Sequence, residues 1–392
     1  VYVTSQGQLV ALADAAAREG AFALDLEFIP ERTYFPRLAL VQLAVKDAQV
    51  LVDPLSDLDL EPVERLVADP DVQVVVHAGY QDMAIIYHRT GQVPTNVFDT
   101  QLAAAFAGMG HQISYAKAVE DLAGVRLTRD ASFTDWMRRP LSSDQEEYAL
   151  DDVRHLLQVR DALEARLGDL GRLGWARGEM DEVYGSRSFY EPDAWSAHRK
   201  VKRSGAVKGR GLGVLVEIAA WREREAIKRD VPRKKVLTDD VIVEIARSIP
   251  AGADDLSRVH GLGKRDRSKH GRAILAAVRA GLSRAARGVA GEEGRSADRT
   301  DPAAIQLLLM ALRSICEREG LAQALVGTRA DVEELAGHLA AGGPGEGPPR
   351  LLSGWRAKVA GDLLVSVMEG RVGVTWDAEA ETVRLIRRDG EG

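Results

Sequence analysis

Residues 22 to 28 read FALDLEF. In an extended chain this alternation sends Asp25 and Glu27 to one face of a sheet and Leu24, Leu26 and Phe28 to the other. A strand with an apolar back belongs inside a packed domain, so its front face carries two negative charges toward the interior. Unpaired buried carboxylates are costly and need compensation. An arginine pair, a proton or a metal ion would each supply it.

The surrounding pattern predicts an α/β unit. FALDLEF, LALVQLAV and QVLVDP follow one another closely enough to form a meander, and VQVVVHA adds a further strand. QDMAIIYHRTG, FDTQLAAAFAG and SYAKAVEDLAG then read as helices ending at or near glycine. The period stays helical from Ser142 to Leu167, with Ser143 and Glu146 spaced as a capping box. A mixed sheet with helices packed over it is the economical architecture. From Gly209 the strand signal stops, and four or five short helices punctuated by Pro or Gly follow. ARGVAGEEGRSADRTDP is polar and aperiodic, hence a linker. Beyond it a second helical unit is interrupted by AAGGPGEGPPR, and the last residues, VGVTWDAEAETVRLIRRDG, pair as a hairpin. The expected units are 1–195, 209–288, a linker at 289–302, and 303–392. A chain of 392 residues fits that division.

Composition narrows the function. No run approaches the ~18 apolar residues of a membrane span, and no signal-peptide pattern is expected from the first residues. The single cysteine, Cys316, excludes an intrachain disulfide and thiolate zinc sites; a reducing cytoplasm is expected. The net charge of −7 hides an asymmetry, because residues 196 to 290 hold 23 Lys or Arg against 10 Asp or Glu. A basic module between acidic neighbours is what polyanion binding requires.

Asp25 and Glu27 have candidate partners. Asp82 lies just past a strand end, at the start of a helix, and in EEYALDDVRHLL Tyr148 and Asp152 stand four apart on one helical face. Four acids converging without matching arginines would repel one another, and divalent cations resolve that. Hard oxygen ligands favour Mg²⁺ or Mn²⁺, and a pair of such ions serves in-line displacement at phosphorus. A Tyr148 phenol, both donor and acceptor, suits the orientation of an attacking water.

DLEF, HAGYQDM and YALDD, with Tyr148 four before Asp152, resemble the three motifs of the DEDD exonuclease superfamily in its tyrosine subclass. In the histidine subclass the place of Glu147 would be a histidine. ERTYFPRLALVQLAV, FDTQLAAAFAG and TDWMRRPL extend the likeness to ribonuclease D, and LVEIAAWREREAIKRDVPRKKVLTDDVIVEIA with VHGLGKRDRSKHGRAIL resembles an HRDC domain. LVGTRADVEEL and LLSGWRAKVAGDLL are similar to a second HRDC-like unit. The resemblance implies a ribonuclease H-like exonuclease fold followed by two small all-α domains. It also implies Asp25, Glu27, Asp82 and Asp152 as ligands of two Mg²⁺ or Mn²⁺ ions, with Tyr148 as the water-orienting residue. Asp151 is set aside in favour of Asp152 by the spacing. The implied reaction is 3′→5′ hydrolysis of RNA to nucleoside 5′-monophosphates, on tRNA precursors or other structured RNA. A DNA exonuclease or a non-catalytic RNA adaptor are the alternatives. Phe133 and His270 depart from the family pattern.

Other candidates are weaker. Arg138 and Arg139 are as well suited to a surface ion pair as to a phosphate. Lys264, Arg265 and Lys269, in a glycine-bounded turn, are expected to contact the RNA backbone. His77 reads as a structural histidine and Asp99 as a capping acid. GRGLG at 209–213 lacks the preceding strand of a nucleotide loop, and no GxxxxGK[ST] is present, so no nucleotide cofactor is expected. Neither a membrane nor a second copy of the chain is expected as a partner.

Overall fold

The computed structural model describes residues 2–127, 135–286, 301–342 and 347–387. The first unit opens with α1 (Gln6–Glu19), capped by the Ser5 side chain on the Gln8 amide. Then come β1 (Ala21–Ile29), β2 (Arg37–Val45), β3 (Ala48–Val52), α2 (Glu61–Val67), β4 (Gln73–Val76), α3 (Tyr80–Thr90) and β5 (Val97–Asp99). The strands form one five-stranded sheet in the order β3-β2-β1-β4-β5. β1, β2 and β3 pair antiparallel as the expected meander, whereas β4 and β5 run parallel to β1.

Helices α4 (Thr100–Phe106), α5 (Tyr115–Ala123), α6 (Ser143–Arg154), α7 (Leu156–Asp169), α8 (Leu173–Tyr184) and α9 (Arg187–Tyr190) complete this unit. The capping box of α6 sits one residue earlier than expected, on Ser142 and Gln145. Ser142 holds extended backbone, as an N-cap must, whereas Ser143 is already helical. FDTQLAAAFAG also divides, its first two residues finishing β5 before α4 begins.

The second unit comprises α10 (Arg210–Lys228), α11 (Asp239–Ser248), α12 (Ala253–Arg258) and α13 (Lys264–Ala286). It has its own core, built on residues such as Ile218, Ile242, Ile274 and Val278. Gly211 and Gly213 lie buried within α10 rather than in a loop. His270 is buried and meets Trp221 edge to face at 5.3 Å, the aromatic place it departs from in sequence. Phe133 and most of the linker at 289–302 lie outside the described residues.

The third unit holds α14 (Pro302–Glu319), α15 (Gln323–Val326), α16 (Arg329–Ala340), α17 (Gly354–Arg356) and α18 (Asp362–Met368). It closes with the expected hairpin of β6 (Val372–Asp377) and β7 (Thr382–Arg387). Its core is continuous with that of the first unit. The Trp355 ring stacks on Trp175 at 5.9 Å and meets Phe106 edge to face at 4.9 Å. Among the described residues, no helix is long and apolar enough to cross a membrane.

The second unit is latched to the first through the loop after β1. The Tyr34 amide donates to Asp230 at 3.0 Å, and the Tyr34 hydroxyl donates to Glu223. Glu223 is itself buried and bonded to Arg233 at 2.6 Å.

Candidate active site

β1 sits at the centre of the sheet, with Leu24 and Leu26 buried on one face as the alternation predicts. Asp25 pairs across to Gln42 and Glu27 to Leu40, after which the register slips so that Phe28 meets Leu38. Such a bulge re-aims the side chains beside it. Its extra residue, Ala39, offers a carbonyl that accepts from the Arg139 guanidinium at 2.7 Å. Arg139 is further held by Asp53, at 2.6 and 2.8 Å, and by the Trp136 carbonyl at 2.8 Å. Its charge is therefore spent on framing the site, and Arg138 beside it is the exposed arginine.

Asp82 arrives from the next strand. The chain leaves β4, turns through Ala78 in the left-handed region and enters α3 at Tyr80. The Asp99 carboxylate accepts the Ala78 amide at 2.9 Å and also caps α4, while its other oxygen takes the Tyr184 hydroxyl at 2.6 Å. Gly79 has no room for a side chain, since a Cβ there would lie 2.5 Å from the Val76 side chain. His77 bridges Thr100 and the Ile113 carbonyl at 2.9 and 3.0 Å, a structural pairing.

α6 delivers Asp152 and Tyr148. The adjacent acid, Asp151, is ion-paired with Arg154, which leaves Asp152 as the carboxylate turned to the strands. The Tyr148 hydroxyl hydrogen-bonds Asp152, and its ring leans on Trp136 at 6.1 Å.

Asp25, Glu27 and Asp152 each place an oxygen within 4.8 Å of the others. Asp82 stands outside this tight trio but is buried, and the charges of Asp25 and Glu27 act on it. Burial pushes the Asp25 carboxyl up to about 7. Burial and the Asp25 charge push Glu27 to about 8. Burial with the charges of Asp25, Glu27 and Asp151 raises Asp152 to about 9, against the hydrogen bond from Tyr148. Asp82 is raised well above the ordinary carboxylate range by burial and by Asp25, Glu27 and Asp99. Among the described residues, no lysine or arginine is among the charges acting on any of the four. A partly buried, all-oxygen, anionic group of this kind fits hard divalent cations, whose charge would hold the carboxylates ionised.

Two participants were not singled out in the sequence. Gln42 is fully buried opposite Asp25, and its amide has no hydrogen-bond partner among the described residues. A lone glutamine within LALVQLAV was the available signal. Tyr115 accepts the His155 amide at 3.2 Å and feels the charges of Asp152 and Asp25; nothing in its local sequence marks it. Lys264, Arg265 and Lys269 are exposed at the start of α13.

Comparison with known proteins gives the same picture. A family model described as "3'-5' exonuclease" matches residues 1–168, and one described as "HRDC domain" matches residues 211–278. The ribonuclease D of Gluconacetobacter diazotrophicus is 37% identical over 375 residues, covering 95% of this chain and 93% of that protein. The ribonuclease D of Nitrobacter hamburgensis is 36% identical over 389 residues, covering 98% and 99%. The crystal structure of Escherichia coli RNase D, an exoribonuclease involved in structured RNA processing, matches with a TM-score of 0.79. Its sequence identity is 28%, and the match covers 94% of this chain and 98% of that one. With the exonuclease sheet, the HRDC unit and near full-length relatives in agreement, the chain belongs to the ribonuclease D family.

Proposed function

We propose that the 3′→5′ exoribonuclease activity of this family depends here on two divalent cations, Mg²⁺ or Mn²⁺, held by Asp25, Glu27, Asp82 and Asp152. Its proposed substrates are the 3′ ends of tRNA precursors and other structured RNA. The observation that carries this reading is the gathering of Asp25, Glu27 and Asp152 within 4.8 Å without a balancing basic side chain among the described residues. Such ions, when bound, stabilise the attacking and leaving oxygens at phosphorus.

The chain's own groups supply positioning. Tyr148, oriented by its bond to Asp152 and its packing on Trp136, holds the attacking water by hydrogen bond. The water oxygen joins phosphorus, and the bond to the 3′ oxygen of the penultimate nucleotide breaks. A nucleoside 5′-monophosphate departs, and the shortened RNA keeps a 3′ hydroxyl. Exposed Arg138, Lys264, Arg265 and Lys269 offer charge to the phosphate backbone. A reducing cytoplasm suits the single cysteine, Cys316.

The test is incubation of the protein with a 3′-extended tRNA, with and without chelator, alongside a matched DNA strand. Mononucleotides should be released from the RNA and should vanish with chelator. Undiminished release in chelator, or oligonucleotide products, would overturn the reading.

A further inference from the structure

The loop after β1, α3 from Tyr80 to His88, and α9 with the segment following it line a cleft of about 380 Å³. It shares Tyr34, Lys200 and Arg233 with a second cleft of about 430 Å³ against the HRDC unit. The loop after β1 extends the strand that bears Asp25 and Glu27, and Tyr80 and Gln81 directly precede Asp82. The double cleft is thus built on the same strand and helix that carry Asp25, Glu27 and Asp82.

Its first half is aromatic. Tyr80 and Phe189 meet edge to face at 4.6 Å, yet each remains 42% exposed. Large rings paired at a cleft mouth and left half in water mark a contact surface. The acids on this wall are occupied: Glu191 accepts the Tyr87 hydroxyl at 2.8 Å, and Asp193 accepts the Trp195 and Ser196 amides at 2.9 and 3.0 Å. The second half is cationic. Asp239 holds Arg222 at 2.7 Å and Glu223 holds Arg233 at 2.6 Å. Beyond those pairs Lys200, Lys202 and Lys234 stand exposed at the cleft. The latch of Tyr34 on Glu223 and Asp230 fixes the shape between the halves.

We infer that this double cleft is an upstream subsite for single-stranded RNA, in which bases stack on Phe189 and Tyr80 while phosphates pass Lys200, Lys202 and Lys234. Aromatic platforms beside a cationic track are the means by which proteins hold single strands. Duplex RNA is gripped instead by shape across its grooves, and its bases, already stacked on one another, offer no face to Phe189 and Tyr80. The inference rests on the exoribonuclease reading and deepens it, since it makes an unpaired tail a condition for tight engagement.

The test measures binding of a fluorescent, single-stranded RNA of about twelve nucleotides to the full chain in chelator, with a blunt RNA duplex as comparator. Phe189→Ala should weaken single-strand binding by about tenfold, the loss of one stacked base, and Phe189→Trp should restore it. Lys202→Ala with Lys234→Ala should flatten the log–log salt dependence by about 1.4, from roughly 0.7 per phosphate contact. Duplex binding should not follow these changes. In the unmodified protein, 4-thiouridine a few nucleotides from the 3′ end should cross-link to residues 186–202. Wild-type affinity in both variants, equal loss on duplex, or cross-links confined to segments that do not line the double cleft would overturn the subsite. A wild-type chain that binds in this way but releases no mononucleotide would instead sink the nuclease reading and leave the subsite standing.

Discussion

Glu179 in α8 accepts a hydrogen bond at 2.6 Å from the Arg356 guanidinium across 177 residues of chain, and both side chains are nearly sealed from water. The Trp355 indole and Arg350 bond the same carboxylate, each at 3.1 Å. Burial works to raise the Glu179 carboxyl, but Arg356 and these hydrogen bonds outweigh it and hold the group below the usual range. Glu179→Ala would strand Arg356 without a counter-charge at a cost of about 3–5 kcal/mol. The expected result is a lower melting temperature and early proteolytic release of the C-terminal unit. With the folded value depressed, the stabilisation is present above the ordinary Glu value of about 4.3 and is lost as pH falls through the folded value. Docking of that unit should therefore weaken in acid, which limited proteolysis across a pH series would read.

The carboxylates of the site predict the opposite trend. Burial raises Asp25, Glu27 and Asp152 to about 7, 8 and 9. Groups raised on folding contribute stability that is full below their unfolded values and lost as pH rises through the folded ones. In chelator the melting temperature should fall from about pH 4, the ordinary carboxylate range, through about pH 9, and Mg²⁺ should abolish the fall. Asp152→Asn should flatten the slope by removing one of the repelling charges. A melting temperature indifferent to both pH and Mg²⁺ would contradict the proximity of these acids.

Catalysis separates Asp152 from Tyr148. Asp152→Asn should nearly abolish mononucleotide release while RNA affinity stays largely intact. Tyr148→Phe should slow turnover by about 10²–10⁴-fold, the range for a positioned acid–base or water-orienting group. Single-turnover rates at saturating RNA provide the measurement. An unchanged rate in Tyr148→Phe would reduce the ring to a packing role against Trp136.

Much of this arrangement was legible because it is local. Alternation in FALDLEF fixed which face of β1 carries Asp25 and Glu27, and the four-residue step from Tyr148 to Asp152 fixed their shared side of α6. The choice of Asp152 over Asp151 has its physical counterpart in the Arg154 pair that occupies Asp151. What escaped depends on contacts between distant segments. β5 has three residues, too few for a period, and exists because β4 offers it a parallel edge. Arg139 stayed open between a phosphate and an ion pair because nothing in TDWMRRPL reveals that Asp53 and the bulge at Ala39 will claim it. The continuity of the third unit with the exonuclease core was equally hidden, since Trp355 and Trp175 lie far apart in sequence.

The HRDC unit has a separate core, so damage to it should remain local. Gly281 in α13 faces α10 so closely that a Cβ would lie 2.4 Å from the Val214 Cα and 2.6 Å from the Gly213 carbonyl oxygen. Those are backbone atoms, which cannot rotate aside. Gly281→Ala gains about 1 kcal/mol of helix propensity. Forcing the two helices apart costs about 1–3 kcal/mol or more by overpacking, and it would also open the contacts of Ile218, Ile274 and Val278. The net effect should be destabilising. Hydrogen exchange should show lost protection in α10 and α13 while β1 and β4 keep theirs, because the exonuclease core does not include those helices. Protection unchanged in α10 would mean that the helices separate at little cost, and protection lost equally from β1 would mean that the two cores unfold as one.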